Sequence, residues 1–204
     1  MNELAEVRAL VFGLALGAAV GPIALYVIHA GMTRGLRPAI DCALGIAVAD
    51  FTYAVVALAV GARLEGWVGA HRAALSGASS AVLLALGAWL AWSAWTRAPV
   101  RYDESRFAGR VAGFAGTYAL TLANPLTILL FVSFAGQLHL TRQWEDVPYY
   151  ATFIFLGSLP AQLAYALIGA GMHKLLQPAA VRGANLASAF AIGAFGIYGV
   201  VRSW

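Results

Sequence analysis

The sequence predicts an all-α membrane protein: six transmembrane helices, arranged as two inverted three-helix repeats in a single transmembrane domain over residues 1–204. Three observations predict it. Of the 204 residues, 61% are hydrophobic and only 11% charged, whereas a soluble domain carries about 25% charged residues. The apolar residues fall into six blocks, each near the roughly 20 residues that a helix needs to cross a bilayer. A pattern of glycine, polar and aromatic positions also recurs, in the same order, in the two halves of the chain.

The blocks run in order as follows. The first, about Ala9–Met32, follows a leader with Glu3 and Glu6 against Arg8. An acidic leader and so long an apolar run suit a retained helix better than a cleaved signal. Gly21-Pro22 interrupts it near its midpoint. The second, about Pro38–Ala62, carries Asp50 in its middle, and the third, about Ala73–Thr96, ends in Trp89, Trp92 and Trp95, as an interfacial aromatic belt would. The fourth, about Val111–Leu138, is interrupted by Asn124-Pro125. The fifth and sixth are about Val147–Met172 and Gly183–Val201. Short polar connectors leave no extramembrane domain. The alternating ten-residue strands of a membrane barrel are absent.

The repeat is read from three correspondences. Gly45, Asp50, Tyr53 and Ala54 have the spacing of Gly157, Gln162, Tyr165 and Ala166. Gly77-Ala78 with Gly87-Ala88-Trp89 matches Gly183-Ala184 with Gly193-Ala194-Phe195. Gly21-Pro22 matches Asn124-Pro125 as a mid-segment interruption. Repeat one is then about residues 9–96 and repeat two about 111–201. A unit with an odd number of helices must insert its second copy upside down, an architecture typical of secondary transporters.

The formal charge of +4 does not point to nucleic acid, because the thirteen Lys and Arg sit in connectors rather than on one helical face. With the N-terminus outside, the cytoplasmic connectors hold Arg34, Arg37, Arg97, Arg101, Arg106, Arg110, Lys174 and Arg182; the outer side holds Arg8, Arg63, Arg72, Arg142 and Arg202. Eight against five favours both termini outside. Asp41 reads as interfacial, beside Arg34 and Arg37. The single cysteine, Cys42, has no internal disulfide partner. His29, His71, His139 and His173 lack metal-ligand spacing, and no cofactor is expected. Gly13 with Gly17, and Ala189 with Gly193, are small-residue pairs that permit close helix approach.

The candidate site follows from cost. A carboxylate at mid-membrane costs roughly 2.5–3.5 kcal/mol on insertion scales, so Asp50 must face the bundle interior. Desolvation favours its neutral form, which makes it a candidate proton carrier and a partner for a substrate ammonium. Packing across helices is the structural alternative. Pro22 and Pro125 each remove a backbone hydrogen bond and kink or break their helix. In lipid, the freed groups must find a neighbour or a cavity. Half-helix ends offer N–H groups to a carboxylate and carbonyls to an ammonium, capacities that suit a zwitterion. Asn124, with Thr121 and Thr127, adds polar groups at the second interruption. Gln162 is the neutral counterpart of Asp50, and Tyr53 and Tyr165 bring hydroxyls one turn away. Asp50, Asn124, Gln162, Tyr53 and Tyr165 are the candidate substrate-binding residues, around breaks at Gly21, Pro22 and Pro125.

In these positions the chain resembles the lysine exporter (LysE/RhtB) family of bacterial amino-acid efflux proteins over nearly its whole length. Gly21-Pro22 is similar to the end of the family's Pro-Gly-Pro element, and Gly31-Met32-Thr33-Arg34-Gly35-Leu36-Arg37 to its first connector. Gly45 to Asp50 resembles its acidic helix-two motif, Gly87 to Trp92 its third-segment stretch, and Leu122-Ala123-Asn124-Pro125 its Asn-Pro motif. Two positions depart: Ile23 stands where the family often has Asn, and Leu126 where it often has Lys after Asn-Pro. Without that lysine a positive charge near Asp50 is missing, which bears on coupling or substrate choice.

The resemblance implies efflux of amino acids or related small metabolites across the bacterial inner membrane, driven by the proton gradient. The expected partners are a small-molecule substrate and the lipid bilayer, and a homo-oligomer is left open. The alternatives are an ion or metal exporter of the same superfamily, an intramembrane enzyme and a non-transporting scaffold. One strongly intramembrane acid is too few for a metal path. No Ser/His, His/Glu/His or Cys pair suits an enzyme. A scaffold leaves Asp50 and the paired prolines without a reason.

Overall fold

The structure, a computed structural model, describes residues 3–20, 22–63, 70–96, 113–137, 144–171 and 178–203. Gly21, the basic connector 97–112, His139, His173, Lys174, Arg142, Trp67 and Trp204 lie outside the described residues, and of Pro22, Pro125 and Leu126 the backbone alone is described. The described residues form helices with no strand: α1 Glu3–Ala18, α2 Pro22–Arg34, α3 Leu36–Arg63, α4 Arg72–Thr96, α5 Gly113–Leu122, α6 Pro125–Gln137, α7 Val147–Gly171 and α8 Pro178–Ser203. A short 3₁₀ turn, Trp144–Asp146, leads into α7.

Among the described residues, three stretches are long and apolar enough to cross a membrane: Leu36–Val60 in α3, Gly77–Thr96 in α4 and the run Trp144–Gly171 through α7. The first and fourth apolar blocks each fold as a bent pair, α1 with α2 and α5 with α6, and each pair bends by 63°. Counting each pair as one span gives five. The sixth block is the 26-residue α8, whose apolar stretch, Asn185–Val201, is shorter than a full span. Arg182 and Arg202 bracket that stretch. The helix itself starts ahead of the expected Gly183, at Pro178, where a missing N–H costs nothing.

The same rule accounts for the prolines expected to kink or break their helices, where the chain breaks. Pro22 and Pro125 are the first residues of α2 and α6 rather than residues inside a kinked helix. Their absent N–H groups would have had no intrahelical partner anyway, and their fixed φ suits a helix start. One mid-helix proline does occur, Pro160 in α7; it denies a hydrogen bond to the carbonyl one turn earlier. α2 runs into α3 through Gly35 alone, at φ +90, a conformation that side chains disfavour.

Helices in lipid have no hydrophobic drive to associate, so packing depends on close approach by small residues. α1 packs on α7, α5 on α3, α3 on α7, and α4 on α8. A Cβ at Gly157 would run into the backbone carbonyl of Leu10 in α1. One at Gly45 would run into that of Phe114 in α5. These two glycines occupy matching positions in the repeat pattern, and each seats the first half-helix of the opposite half of the chain. Both small-residue pairs expected from the sequence also lie in helix contacts, Gly13 and Gly17 against α7, and Ala189 and Gly193 against Gly87 of α4.

The apolar interior divides in two. A first cluster joins Phe12 of α1, Leu58 of α3, Leu83 of α4, Phe131 and Phe134 of α6, Ile154 of α7 and Ile192 of α8. A second joins Tyr26, Val27 and Ile28 of α2 with Cys42 and Ile46 of α3 and Tyr165 of α7. The first lies toward the chain termini. At that end Arg8 sits 4.4 Å over the ring of Tyr198, Tyr149 donates a 2.8 Å hydrogen bond to Glu6, and Arg63 lies 4.9 Å over Trp144. The start of α8 lies at the other end, where Arg182 stands over Trp95.

Candidate functional site

Between the two apolar clusters runs a polar layer. On α3, Asp50 lies between Ile46 of the second cluster and Ala54 of the first. On α7, Ser158 and Gln162 lie between Ile154 of the first and Tyr165 of the second. Asp50 is 2% exposed, and its Oδ2 accepts a hydrogen bond from the hydroxyl of Ser158 at 2.5 Å. A carboxylate in so apolar a setting needs such a donor. Gln162, one turn further along α7, is 5% exposed and its Oε1 has no hydrogen-bond partner. An unsatisfied buried acceptor is unusual and marks a place where a donor can be received at a gain.

The breaks in the two bent pairs border this layer. In the first, α1 ends at Ala18, whose carbonyl accepts a 2.7 Å hydrogen bond from the hydroxyl of Tyr165. Asn185 of α8 faces the same break: its Oδ1 accepts from the Val20 N–H at 2.7 Å, and its Nδ2 points to the Val20 carbonyl at 3.5 Å. In the second, α5 ends at Leu122, whose carbonyl accepts a hydrogen bond from the hydroxyl of Tyr53. The chain then bonds to itself. Ala123 N–H reaches Ala119, Asn124 N–H reaches Thr121, and the Asn124 carbonyl takes the N–H of Ile128 inside α6. Asn124 is thus the cap residue and Pro125 the first helical residue, a favoured start signal.

Of the residues named from the sequence, Asp50 and Gln162 lie in the buried layer, and Asn124 sits half-buried at the second break. Tyr53 and Tyr165 reach the breaks, but in this state their hydroxyls are committed to backbone carbonyls. Thr121 is buried and bonds back to Thr117 on its own helix; Thr127 is buried in the first turn of α6.

Sequence reasoning missed Ser158 and Asn185. The first was visible as a hydroxyl one turn before Gln162, and the second as an amide inside an apolar block. It also missed Thr117, which donates to the Cys42 carbonyl at 2.8 Å and so fastens α5 to α3.

Among the described residues the arrangement sets one buried carboxyl group, several polar groups and two interrupted helices between two apolar clusters. A buried carboxyl group and an unsatisfied amide oxygen are groups with the chemistry to exchange a proton and to accept hydrogen bonds from a small polar molecule. No curated protein and no solved structure matches the chain. The sequence model of the LysE type translocator family matches residues 14–203, almost the entire chain and all of the polar layer. The chain therefore belongs to the LysE type translocator family, membrane exporters of amino acids or related compounds.

Proposed function

We propose that the chain is a secondary transporter that exports an amino acid or similar zwitterionic metabolite across the bacterial inner membrane in exchange for protons. The observation that carries this reading is Asp50, buried between two apolar clusters beside two helix breaks. In this proposal Asp50 alternates between holding a proton and holding the substrate ammonium. Ser158 steadies its charged form. The N-terminal ends of α2 and α6 receive the substrate carboxylate, since unpaired N–H groups and the helix dipole favour an anion there. Asn124 and Gln162 provide further hydrogen bonds, with Tyr53 and Tyr165 at the edges of the site.

The two halves act as inverted repeats in this reading. It is supported by the equal bends of the two pairs, the crossed packing of α1 on α7 and α5 on α3, and the matched ties of Tyr53 and Tyr165. Both termini then face outward, with the first cluster as the outer seal and the second as the inner. A reporter fused after Trp204 tests the orientation, and a cytoplasmic signal would overturn it.

The function is tested in everted vesicles containing the protein, with an amino-acid panel supplied outside. At least one member should accumulate when the vesicle interior is acidified and stop doing so when the gradient is collapsed. Accumulation indifferent to the gradient would overturn proton exchange, and no accumulation of any member would overturn the substrate class.

A further inference from the structure

The tyrosine ties at the two breaks are reciprocal in a way that substrate binding does not require. Tyr53 is on α3 and binds the end of α5; Tyr165 is on α7 and binds the end of α1. Each acceptor is the last carbonyl of a half-helix, a group with no intrahelical donor. At this depth there is no bulk water to replace a lost donor. Each hydroxyl therefore fixes where one half-helix stops and, three or four residues on, where the next begins.

What begins there differs between the two breaks. After the break held by Tyr165 comes α2, which supplies Tyr26, Val27, Ile28 and Ala30 to the second cluster. After the break held by Tyr53 comes α6, which supplies Leu130, Phe131 and Phe134 to the first. The ring of Tyr53 also stacks on Phe131, with centroids 5.4 Å apart. Phe131 and Phe134 in turn pack on Phe12, the second ring stacked and the first edge-on.

We propose that Tyr53 and Tyr165 are positioning residues acting as two independent latches: Tyr165 holds the hinge of α2 and so keeps the second seal shut, and Tyr53 holds the hinge of α6 and so keeps the first shut. Releasing one hydroxyl from its carbonyl frees one half-helix while the other seal stays closed, which is the behaviour that stepwise access to the polar layer needs. The proposal deepens the exporter reading, but its test uses no substrate. Failure of one is therefore distinguishable from failure of the other.

The test measures water access at each seal. In a Cys42→Ser background, Ala30→Cys places a thiol in the second seal and Ser133→Cys one in α6 beside the first; both positions are buried, the second change is nearly isosteric and the first adds one sulfur atom. Purified protein in lipid nanodiscs is reacted with N-ethylmaleimide. Tyr165→Phe keeps the ring and removes the latch, so it should speed modification at position 30 roughly three- to tenfold, the range a lost hydrogen bond allows, and leave position 133 unchanged. Tyr53→Phe should do the reverse. Should one phenylalanine variant fail to fold, the other arm decides alone. The proposal is overturned if either variant speeds both positions alike, if neither position responds, or if both variants lose the folded protein, which would mark the tyrosines as general supports.

Discussion

The two helix breaks share a tyrosine tie, a 63° bend and a proline start, and differ in how the rest of their backbone is satisfied. The first, between Ala18 and Pro22, keeps one local bond, Ala19 N–H to Leu16, and is held mainly from outside: Tyr165 of α7 takes the Ala18 carbonyl, and Asn185 of α8 takes the Val20 peptide. The second, between Leu122 and Pro125, has Tyr53 at its carbonyl end and otherwise satisfies its own backbone through Ala123, Asn124 and Ile128. The cause lies in two residues. Asn-Pro brings a capping residue to the start of α6, whereas Gly-Pro brings no capping side chain to the start of α2, and the Val20 peptide just ahead of that start is met by an amide from a distant helix. One break is therefore specified locally and the other by tertiary structure.

That contrast can be broken or sharpened by mutation. The largest effect on stability should come from Gly157→Val, which pushes side-chain atoms into the Leu10 backbone and lifts α1 off α7. Overpacking of this kind costs about 1–3 kcal/mol, visible as a lower unfolding temperature in detergent. A wild-type melting profile would mean that the α1–α7 approach does not anchor the first break. Asn185→Ala should come next. Removing a polar contact between membrane helices costs about 0.6 and at most about 1.7 kcal/mol, and the Val20 N–H would lose its acceptor.

Asn124→Ala is the matched change at the second break. Because the backbone there bonds to itself, apparent substrate affinity should fall while melting moves less than for Asn185→Ala. Equal melting shifts with unchanged affinity would erase the distinction between the breaks. Ser158→Ala should have the smallest effect on stability, about 0.6 kcal/mol, while slowing export by leaving the charged form of Asp50 without its donor; unchanged export would remove Ser158 from the site.

Much of the helix plan was legible in the sequence because membrane insertion leaves a coarse signal. Long apolar runs, prolines at interruptions and one costly carboxylate can be read without knowing any contact. Asp50 was legible for that reason, as were the breaks at Pro22 and Pro125. The tertiary partners were not. Ser158 and Asn185 are ordinary polar residues until α7 is set against α3 and α8 against the first break. Tyr53 and Tyr165 were visible as a repeated pair, but a hydroxyl near a site reads as a substrate contact unless the carbonyl it reaches is known. Mid-block prolines predict a kink or a break without deciding between them; the backbone has the break, two helices meeting with the second starting on the proline.

The central claim is that export runs through Asp50, and it is tested most directly by comparing wild type with Asp50→Asn in everted vesicles, using a substrate found in the amino-acid panel. Asparagine keeps the shape and can still bond to Ser158, so the protein should insert in equal amounts. The account predicts gradient-driven accumulation in wild-type vesicles and none above background in the variant. Accumulation by Asp50→Asn at the wild-type rate, with the same dependence on the pH gradient, would contradict it.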